Sequence, residues 1–353
     1  MQIIYEVRGK GWEPITYMVN LAAELLEADL LVLERDPKAV TLSAKLEALL
    51  FGKLGVRQDD SCLLVCSDPS SLLSLLRVEG WRQRFRHIGA WIIDSFWTEW
   101  IPRIFQITNL LDYVFVSSAE DIPIWQQKIK APVIWLPWAT DVLRLGGANE
   151  TRSWDLVRVG RQPSEWDDDV QIERSCFEKN LRFHGRPPHQ QDPDRMRQAI
   201  QNQEMLMSLY RQTKFTLAFS NAVNPTTYTH PTRQYLTARW VDALACGATV
   251  AGISPNEPSI NRLLWEGATL NFASLEREEG MEAIAQAAET WRPEQAQLNY
   301  RYALERLDWR WRFAKIAQVF NYYPQRLSDE LDLLEQELLW QKQRTAQPER
   351  LSR

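Results

Sequence analysis

The sequence predicts an α/β protein made of two successive Rossmann-like domains, each a parallel sheet covered by helices, followed by C-terminal helices. Three observations predict it. Short, continuously apolar runs alternate with amphipathic segments of helical period, the pattern of strands buried on both faces. The alternation breaks at 137–154 and then restarts. A chain of 353 residues, 45% hydrophobic and 25% charged, is long enough for two domains and ordinary for a soluble globular protein.

The elements follow in order. "IIYEV" (3–7) reads as the first strand and "ITYMVNLAAELLEA" (15–28) as the helix after it. "DLLVLER" (29–35) precedes a helical "LSAKLEALLFGKLG" (42–55), and "CLLVCS" (62–67) precedes "PSSLLSLLRVEGW" (69–81). "IGAWIID", "YVFVSS" and "VIWLP" complete the first series. The break, with its proline and paired glycines, reads as a linker. Beyond it come the strands "DLVRVG" (155–160), "LRFHG" (181–185) and "KFTLAFS" (214–220), then a long loop (221–235) and the segment "RWVDALACGATVAG" (239–252). The expected division is residues 1–150, residues 151–325, and a C-terminal helix with a frayed tail at 326–353.

Composition narrows the function. A net charge of -5 argues against a broad nucleic-acid surface, which needs a dominant positive field. The four cysteines show no zinc spacing and no disulfide framework, so buried thiols in a reducing cytoplasm are expected. "MQIIYEV" is too short for the apolar core of a signal peptide, and no stretch approaches the ~20 apolar residues of a membrane span. "WRQRFRH" (81–87) mixes cations with aromatics. It reads as a solvated helix face, with contact to an anionic membrane surface or an anionic acceptor as the sharper reading. "WDDDV" and "DPD" read as solvated loop charge. Several of the 16 tryptophans cluster; core packing is the expectation and a sugar-stacking face the alternative.

Ligands of open α/β sheets bind beyond the carboxyl ends of the strands. In the second half those positions hold Gly160 and Arg161, His184, Asn221, and the entry to the 237–246 helix. Thr237 is placed to cap that helix, and Arg239 lies in its first turn. A helix N-terminus presents unpaired amides and partial positive charge, which suits a diphosphate. Asp242, one turn further in, could accept from two vicinal ribose hydroxyls, and Gly247 would end the helix. The plainer alternative is a core helix with an Arg239–Asp242 ion pair. In the first half, Gly9 and Gly11 of "RGKGWEP" would let backbone amides approach a phosphate or sugar, or simply form a tight turn. Asp94, after a predicted central strand, is a candidate general base or acceptor-orienting acid; a helix cap is the alternative. The four histidines form no metal set.

"RWVDALACGATVAG" resembles the Arg-x-Phe-Glu-Ala-x-Ala-Cys-Gly signature of GT-B glycosyltransferases, nearest the group 1 transferases that include the spore-maturation-protein-like members. "LVRVGR", "SLYRQTKFTLAFS", "VIWLPWATD", "IGAWIIDSFW" and "RYALERLDWRWRFAKI" agree with that family in order. The resemblance implies the GT-B fold with a cleft, an N-terminal acceptor domain and a C-terminal nucleotide-sugar donor domain. It implies transfer of a sugar from a nucleotide diphosphate sugar to an acceptor of unknown kind (saccharide, lipid or small molecule), with no cofactor and no metal. Gly160, Arg161, His184, Asn221, Gln234, Thr237, Arg239 and Asp242 become donor-binding candidates, with Arg161 and Asp94 as the catalytic ones. Retaining members often carry two glutamates at the positions of Gln234 and Asp242; the first is here uncharged and the second shortened. A nucleotide-sugar epimerase or hydrolase, or a non-catalytic nucleotide-sugar binder, remains the alternative.

Overall fold

The computed structural model describes residues 1–8, 11–34, 40–41, 44–45, 60–226 and 229–345. Gly9, most of the predicted 42–55 helix and all but the first residue of the predicted tail lie outside the described residues. The chain divides into two compact units. One comprises Met1–Pro137 and Arg312–Asp329, the other Trp138–Trp311 and Glu330–Arg353.

The first unit holds a six-stranded sheet of β1 (Gln2–Val7), β2 (Asp29–Glu34), β3 (Asp60–Cys66), β4 (Phe85–Ile92), β5 (Tyr113–Val116) and β6 (Val133–Trp135). Their order is β2-β1-β3-β4-β5-β6, and every pairing is parallel. Ile3, Ile4 and Tyr5 are all buried, as are Leu63, Leu64 and Val65, because these central strands are covered on both faces. The edge strand β2 alternates between exposed and partly buried residues instead. Helix α1 (Glu13–Leu25) follows β1 with Pro14 in its first turn, where a missing amide costs nothing. Pro69–Arg77 is helical as expected, but as a 3₁₀ helix, with Asp68 capping it through Ser70.

The basic stretch 81–87 is not one helix face. Trp81–Arg84 make a single turn and β4 begins at Phe85. The Phe85 ring is buried in the sheet core, and Arg84 pairs with Asp60 at 3.2 Å.

The second unit holds β7 (Trp154–Arg158), α2 (Asp169–Glu178), β8 (Phe183–His184), α3 (Arg195–Tyr210), β9 (Thr213–Leu217), α4 (Ala238–Ala245), β10 (Thr249–Gly252), α5 (Pro258–Leu263) and β11 (Thr269–Asn271). The strand order is β11-β10-β9-β7-β8, again parallel throughout. Leu156, Leu217, Phe219, Trp166 and Phe272 pack one core, with Trp166 stacked on Phe272 at 5.3 Å between ring centroids. Helices α6 (Arg277–Glu289), α7 (Pro293–Arg306), α8 (Trp309–Phe320) and α9 (Gln325–Thr345) follow.

Buried arginines organise this unit. Arg152 gives Nη1 to the carbonyls of Tyr210, Arg211, Thr213 and Cys246, joining the ends of α3 and α4 to the start of β9. Gly247 ends α4 at φ +75°, a conformation that side chains resist. A Cβ there would stand 2.6 Å from Arg152 and 2.8 Å from the Ala296 carbonyl, so only glycine fits. Arg310, fully buried, pairs with Asp141 at 2.9 Å, Asp308 at 3.0 Å and Glu330 at 2.6 Å.

The acidic loops are also structural. Asp167 and Asp169 pair with the buried Arg158, while Asp168 caps α2 and Asp194 caps α3. Asp167, Asp168 and Asp194 nonetheless stay exposed, so the loops carry solvated charge as expected while making these contacts. Lys214, at the start of β9, pairs with Asp155 at 2.8 Å.

Candidate functional site

In a parallel sheet each βα turn lies at the carboxyl edge, so the start of α4 belongs with the ends of β7, β9 and β10. Val159 and Gly160 carry the chain out of β7, with Gly160 at φ +66°. A Cβ on Gly160 would meet Arg239 at 3.5 Å, and the turn brings the two close. Arg239 Nη1 donates to the carbonyl of Arg161 at 2.5 Å and to that of Val159 at 3.4 Å. The start of α4 is thereby tied to the Gly160–Arg161 turn.

Ser220, just past β9, donates to Gln234 Oε1 at 2.7 Å, and the Asn256 amide donates to the same oxygen at 3.1 Å. Asn221 Nδ2 donates to the carbonyls of Arg233 at 2.7 Å and His230 at 3.3 Å. Gly160, Arg161, Asn221, Gln234, Thr237 and Arg239 thus share one strand-end region.

Three expected residues behave otherwise. Thr237 occupies the N-cap position of α4 without a side-chain capping bond. The expected Arg239–Asp242 pair is not the arrangement found: Arg239 turns to β7, and Asp242 is 1% exposed and bonded to Thr140 and Gln203. The carboxylate is thus enclosed within the domain core, with Oδ2 buried and without a hydrogen-bond partner among the described residues. Burial pushes its carboxyl up to about 7, against the lowering by those two hydrogen bonds. His184 lies on the edge strand β8, edge-on to Trp154 at 5.1 Å, with Nδ1 2.7 Å from the Gly185 carbonyl. His230 Nδ1 accepts from the Arg233 amide at 3.0 Å, which makes it a loop staple.

Glu257 was not singled out by sequence. It stands at the N-cap position of α5, and its Oε1 accepts from the Gln234 amide at 3.4 Å. Its signal is an acid just before a proline, in the loop leaving β10.

The first unit has its own carboxyl-edge cluster. Asp94 follows β4, partly buried, with its amide donating to the Ser67 carbonyl at 2.8 Å. Arg8 follows β1 and pairs with Asp68, which follows β3. Arg8 also donates to Ser71 at 3.3 Å and lies 5.2 Å from the Trp12 ring centroid. Burial pushes the Asp94 carboxyl up to about 7; the Asp68 charge adds to this and Arg8 opposes it. Trp97 and Trp100 stack at 4.6 Å just beyond. Gly11 sits at φ +90° with its amide donating to Glu13 Oε2 at 2.9 Å. That amide serves a tight turn into α1 and already has an anionic acceptor, so it is not presented to a phosphate.

The expected helix-cap alternative for Asp94 fails: no helix starts there, and the chain makes a turn closed by the Trp97 amide on the Asp94 carbonyl. Arg8 and Asp68 were missed, although both are the charged residues that leave β1 and β3. The rule that selected Asp94 selects them too.

Residues 160–318 match the family model described as glycosyl transferase-like. In structure the chain is similar to Anabaena HepE in complex with UDP-glucose, with a TM-score of 0.55 and 11% identity over 92% of this chain and 100% of that one. The fold is that of the GT-B glycosyltransferases, and the matched segment within it is glycosyl transferase-like. The two parallel sheets are the two Rossmann-like domains of that fold. More distant similarities are to S. aureus MnaA with UDP (TM-score 0.47, 11% identity, 92% of this chain, 97% of that one) and the pneumococcal O-GlcNAc transferase GtfA with UDP and GlcNAc (0.46, 12%, 78% and 59%). No curated protein matches the chain by sequence. No helix among the described residues is long and apolar enough to cross a membrane, and none of their His, Cys, Asp and Glu side chains form a group of three fit for a metal.

Proposed function

We propose that the second unit holds the donor diphosphate at the Gly160–Arg161 turn and the start of α4, and that the first unit binds a saccharide acceptor beside Asp94. One observation carries the donor half: Arg239 fastens the start of α4 to the carbonyls of Val159 and Arg161. Amides and a guanidinium are thereby held together at one strand edge, a preorganised anion site. In the acceptor half, Trp12, Trp97 and Trp100 lie near Asp94 in sequence or at neighbouring strand ends. Aromatic faces beside a carboxylate suit a sugar ring with its hydroxyls.

In the proposed step Asp94 takes the proton of an acceptor hydroxyl. The hydroxyl oxygen bonds to the anomeric carbon, the anomeric carbon–diphosphate bond breaks, and the electron pair leaves with the nucleoside diphosphate. Arg161 and the first amides of α4 meet the negative charge that grows on the leaving group. We place this chemistry in the cytoplasm without a metal; four buried, unpaired cysteines support the compartment.

Calorimetry with UDP, GDP, ADP and dTDP, followed by turnover of the matching nucleotide sugar with saccharide acceptors, tests the reading. UDP is the first probe because HepE holds UDP-glucose. Binding with Arg161-dependent transfer supports it; absence of binding to every nucleotide overturns it. The second reading is a protein that binds the nucleotide sugar without turning it over. Gln234 favours it, because an amide already accepting two hydrogen bonds supplies no carboxylate there. Donor binding without transfer to any acceptor would select it.

A further inference from the structure

Three charged side chains leave three neighbouring strands at one level. Tyr5 pairs with Val65 between β1 and β3, so the same register carried three residues on sets Arg8 opposite Asp68. Cys66 pairs with Ile92 between β3 and β4, so two residues on Asp68 stands opposite Asp94. The ladder continues past the strands: Ile93 donates to Cys66 and Asp94 to Ser67, both at 2.8 Å. The result is a row of plus, minus, minus across the carboxyl edge.

The row is held from below and from the side. Asp68 is 3% exposed, pairs with Arg8, and accepts from the Ser70 amide at 2.8 Å. Arg8 reaches Ser71, whose hydroxyl lies 3.2 Å from that of Ser67. Asp68 therefore cannot swing away from Asp94 without losing its cap and its ion pair. The nearby acid of β1, Glu6, pairs with Arg77 at 3.2 Å and so has its own countercharge. Cys66 stays neutral because burial pushes its thiol well up. Among the described residues, the charges that face Asp94 are thus Asp68 from the β3 end and Arg8 from the β1 end.

From this arrangement we propose that Arg8 and Asp68 are positioning residues that set the protonation of Asp94, Asp68 favouring the neutral carboxyl and Arg8 the ionised one. A nearby like charge disfavours ionisation and an opposite one favours it, so the two must act with opposite sign. The inference rests on the reading of Asp94 as acceptor base, and it explains how a single arginine shared by two acids can hold that base near its working range. A base is most effective when it titrates near the operating pH.

The test follows the Asp94 carboxyl by carbon-13 NMR in the full chain labelled at aspartate, with Asp94→Asn to assign the signal. Asp68→Asn keeps the cap acceptor for Ser70 and removes the charge. It should lower the Asp94 titration midpoint by about one pH unit. Arg8→Met should raise it by about as much, and Arg8→Lys should return it toward wild type. Unmoved midpoints in folded Asp68→Asn and Arg8→Met overturn the proposal, as do shifts of the same sign in both, which mark a general loosening of the site. The pH dependence of kcat, taken on the same variants, judges the other reading separately. If the midpoints move oppositely and the rate profile follows, Asp94 is the base and the pair sets it. If the midpoints move and the rate profile does not, the pair still sets Asp94 and the base role alone falls.

Discussion

The Ser220 hydroxyl donates to Gln234 Oε1 at 2.7 Å, joining the end of β9 to the loop before α4. The Asn256 amide reaches the same oxygen, so one side chain fastens two strand ends. Gln234→Ala leaves the buried Ser220 hydroxyl without this acceptor and gives the exposed Asn256 amide to water, and should cost about 1 kcal/mol of stability. Gln234→Glu still accepts from both and should lose far less. Urea denaturation of the two variants measures the difference. Equal losses would show that the fastening role is wrong.

Asp242 makes a stability prediction with a defined sign. Its folded carboxyl lies at about 7, above the usual carboxylate range of an unfolded chain near 4. The native state therefore binds the proton more tightly. Stability is greatest below pH ~4, falls as pH rises from ~4 to ~7, and then levels. Asp94, raised to about 7 as well, contributes in the same window. Asp242→Asn removes its share, so the variant should gain in Tm relative to wild type at pH 8 compared with pH 5. A Tm difference that does not vary with pH would place the charge elsewhere. Nucleotide affinity should be nearly unchanged, since the carboxylate faces Thr140 and Gln203.

Much of the fold was legible because parallel strands announce themselves. "LLVC" in β3 and "AWI" in β4 are continuously apolar, as both faces of those strands demand. Gly247 was legible as a helix stop because few residues but glycine take a positive φ there. The strand-end rule selected Gly160, Arg161, Asn221 and Asp94, and the fold does place them beyond strand ends. It could not tell which way Asp242 faces. A helix of eight residues turns each side chain by about 100° from the last, and only the packing of Thr140 and Gln203, remote in sequence, decides the inward face. Arg8 and Asp68 were obscure for a similar reason. Each looks like an isolated charge until the register sets them side by side. The exposed Asp-rich loops were legible as solvated charge, but the pairing of Asp167 and Asp169 with Arg158 was not, because that arginine sits within an apolar strand.

Arg161 tests the donor site. If it meets charge that develops only as the diphosphate departs, Arg161→Ala should lower kcat more than it raises KM. Chelator should leave wild-type transfer intact under the metal-free proposal. Steady-state kinetics with and without EDTA read both. A rise in KM alone would make Arg161 a ground-state contact, and loss with EDTA reversed by a divalent ion would end the metal-free proposal.

Arg310 is a structural prediction within the second unit. Its guanidinium is buried among Asp141, Asp308 and Glu330. Arg310→Met strands acids in the interior and should cost about 3–5 kcal/mol. Adding Asp141→Asn and Asp308→Asn to that variant removes the stranded charge and should recover part of the loss. Denaturant midpoints of the single and triple variants check this; no recovery would mean that hydrogen-bond geometry, not charge, dominates.

Asp94 tests the proposed chemistry. Its place beyond β4, next to the Asp68–Arg8 pair, gives a carboxyl that burial and Asp68 raise to about 7. Only the ionised form can take a proton, so kcat should climb with pH through ~7 and then flatten. Asp94→Asn keeps the size and most of the polarity of the side chain but cannot act as a base. Transfer should fall by about 10²–10⁴, the span of a lost general base, while nucleotide affinity in the second unit stays as it was. If the residue only orients the acceptor, KM for the acceptor should rise and kcat should change little. If neither moves and Tm falls, the Asp94 side chain serves the fold alone, and the base must be sought on another strand end. Kinetics, calorimetry and melting on this one variant separate the three, because each role spends the carboxylate on a different partner: a proton, a substrate hydroxyl, or the fold.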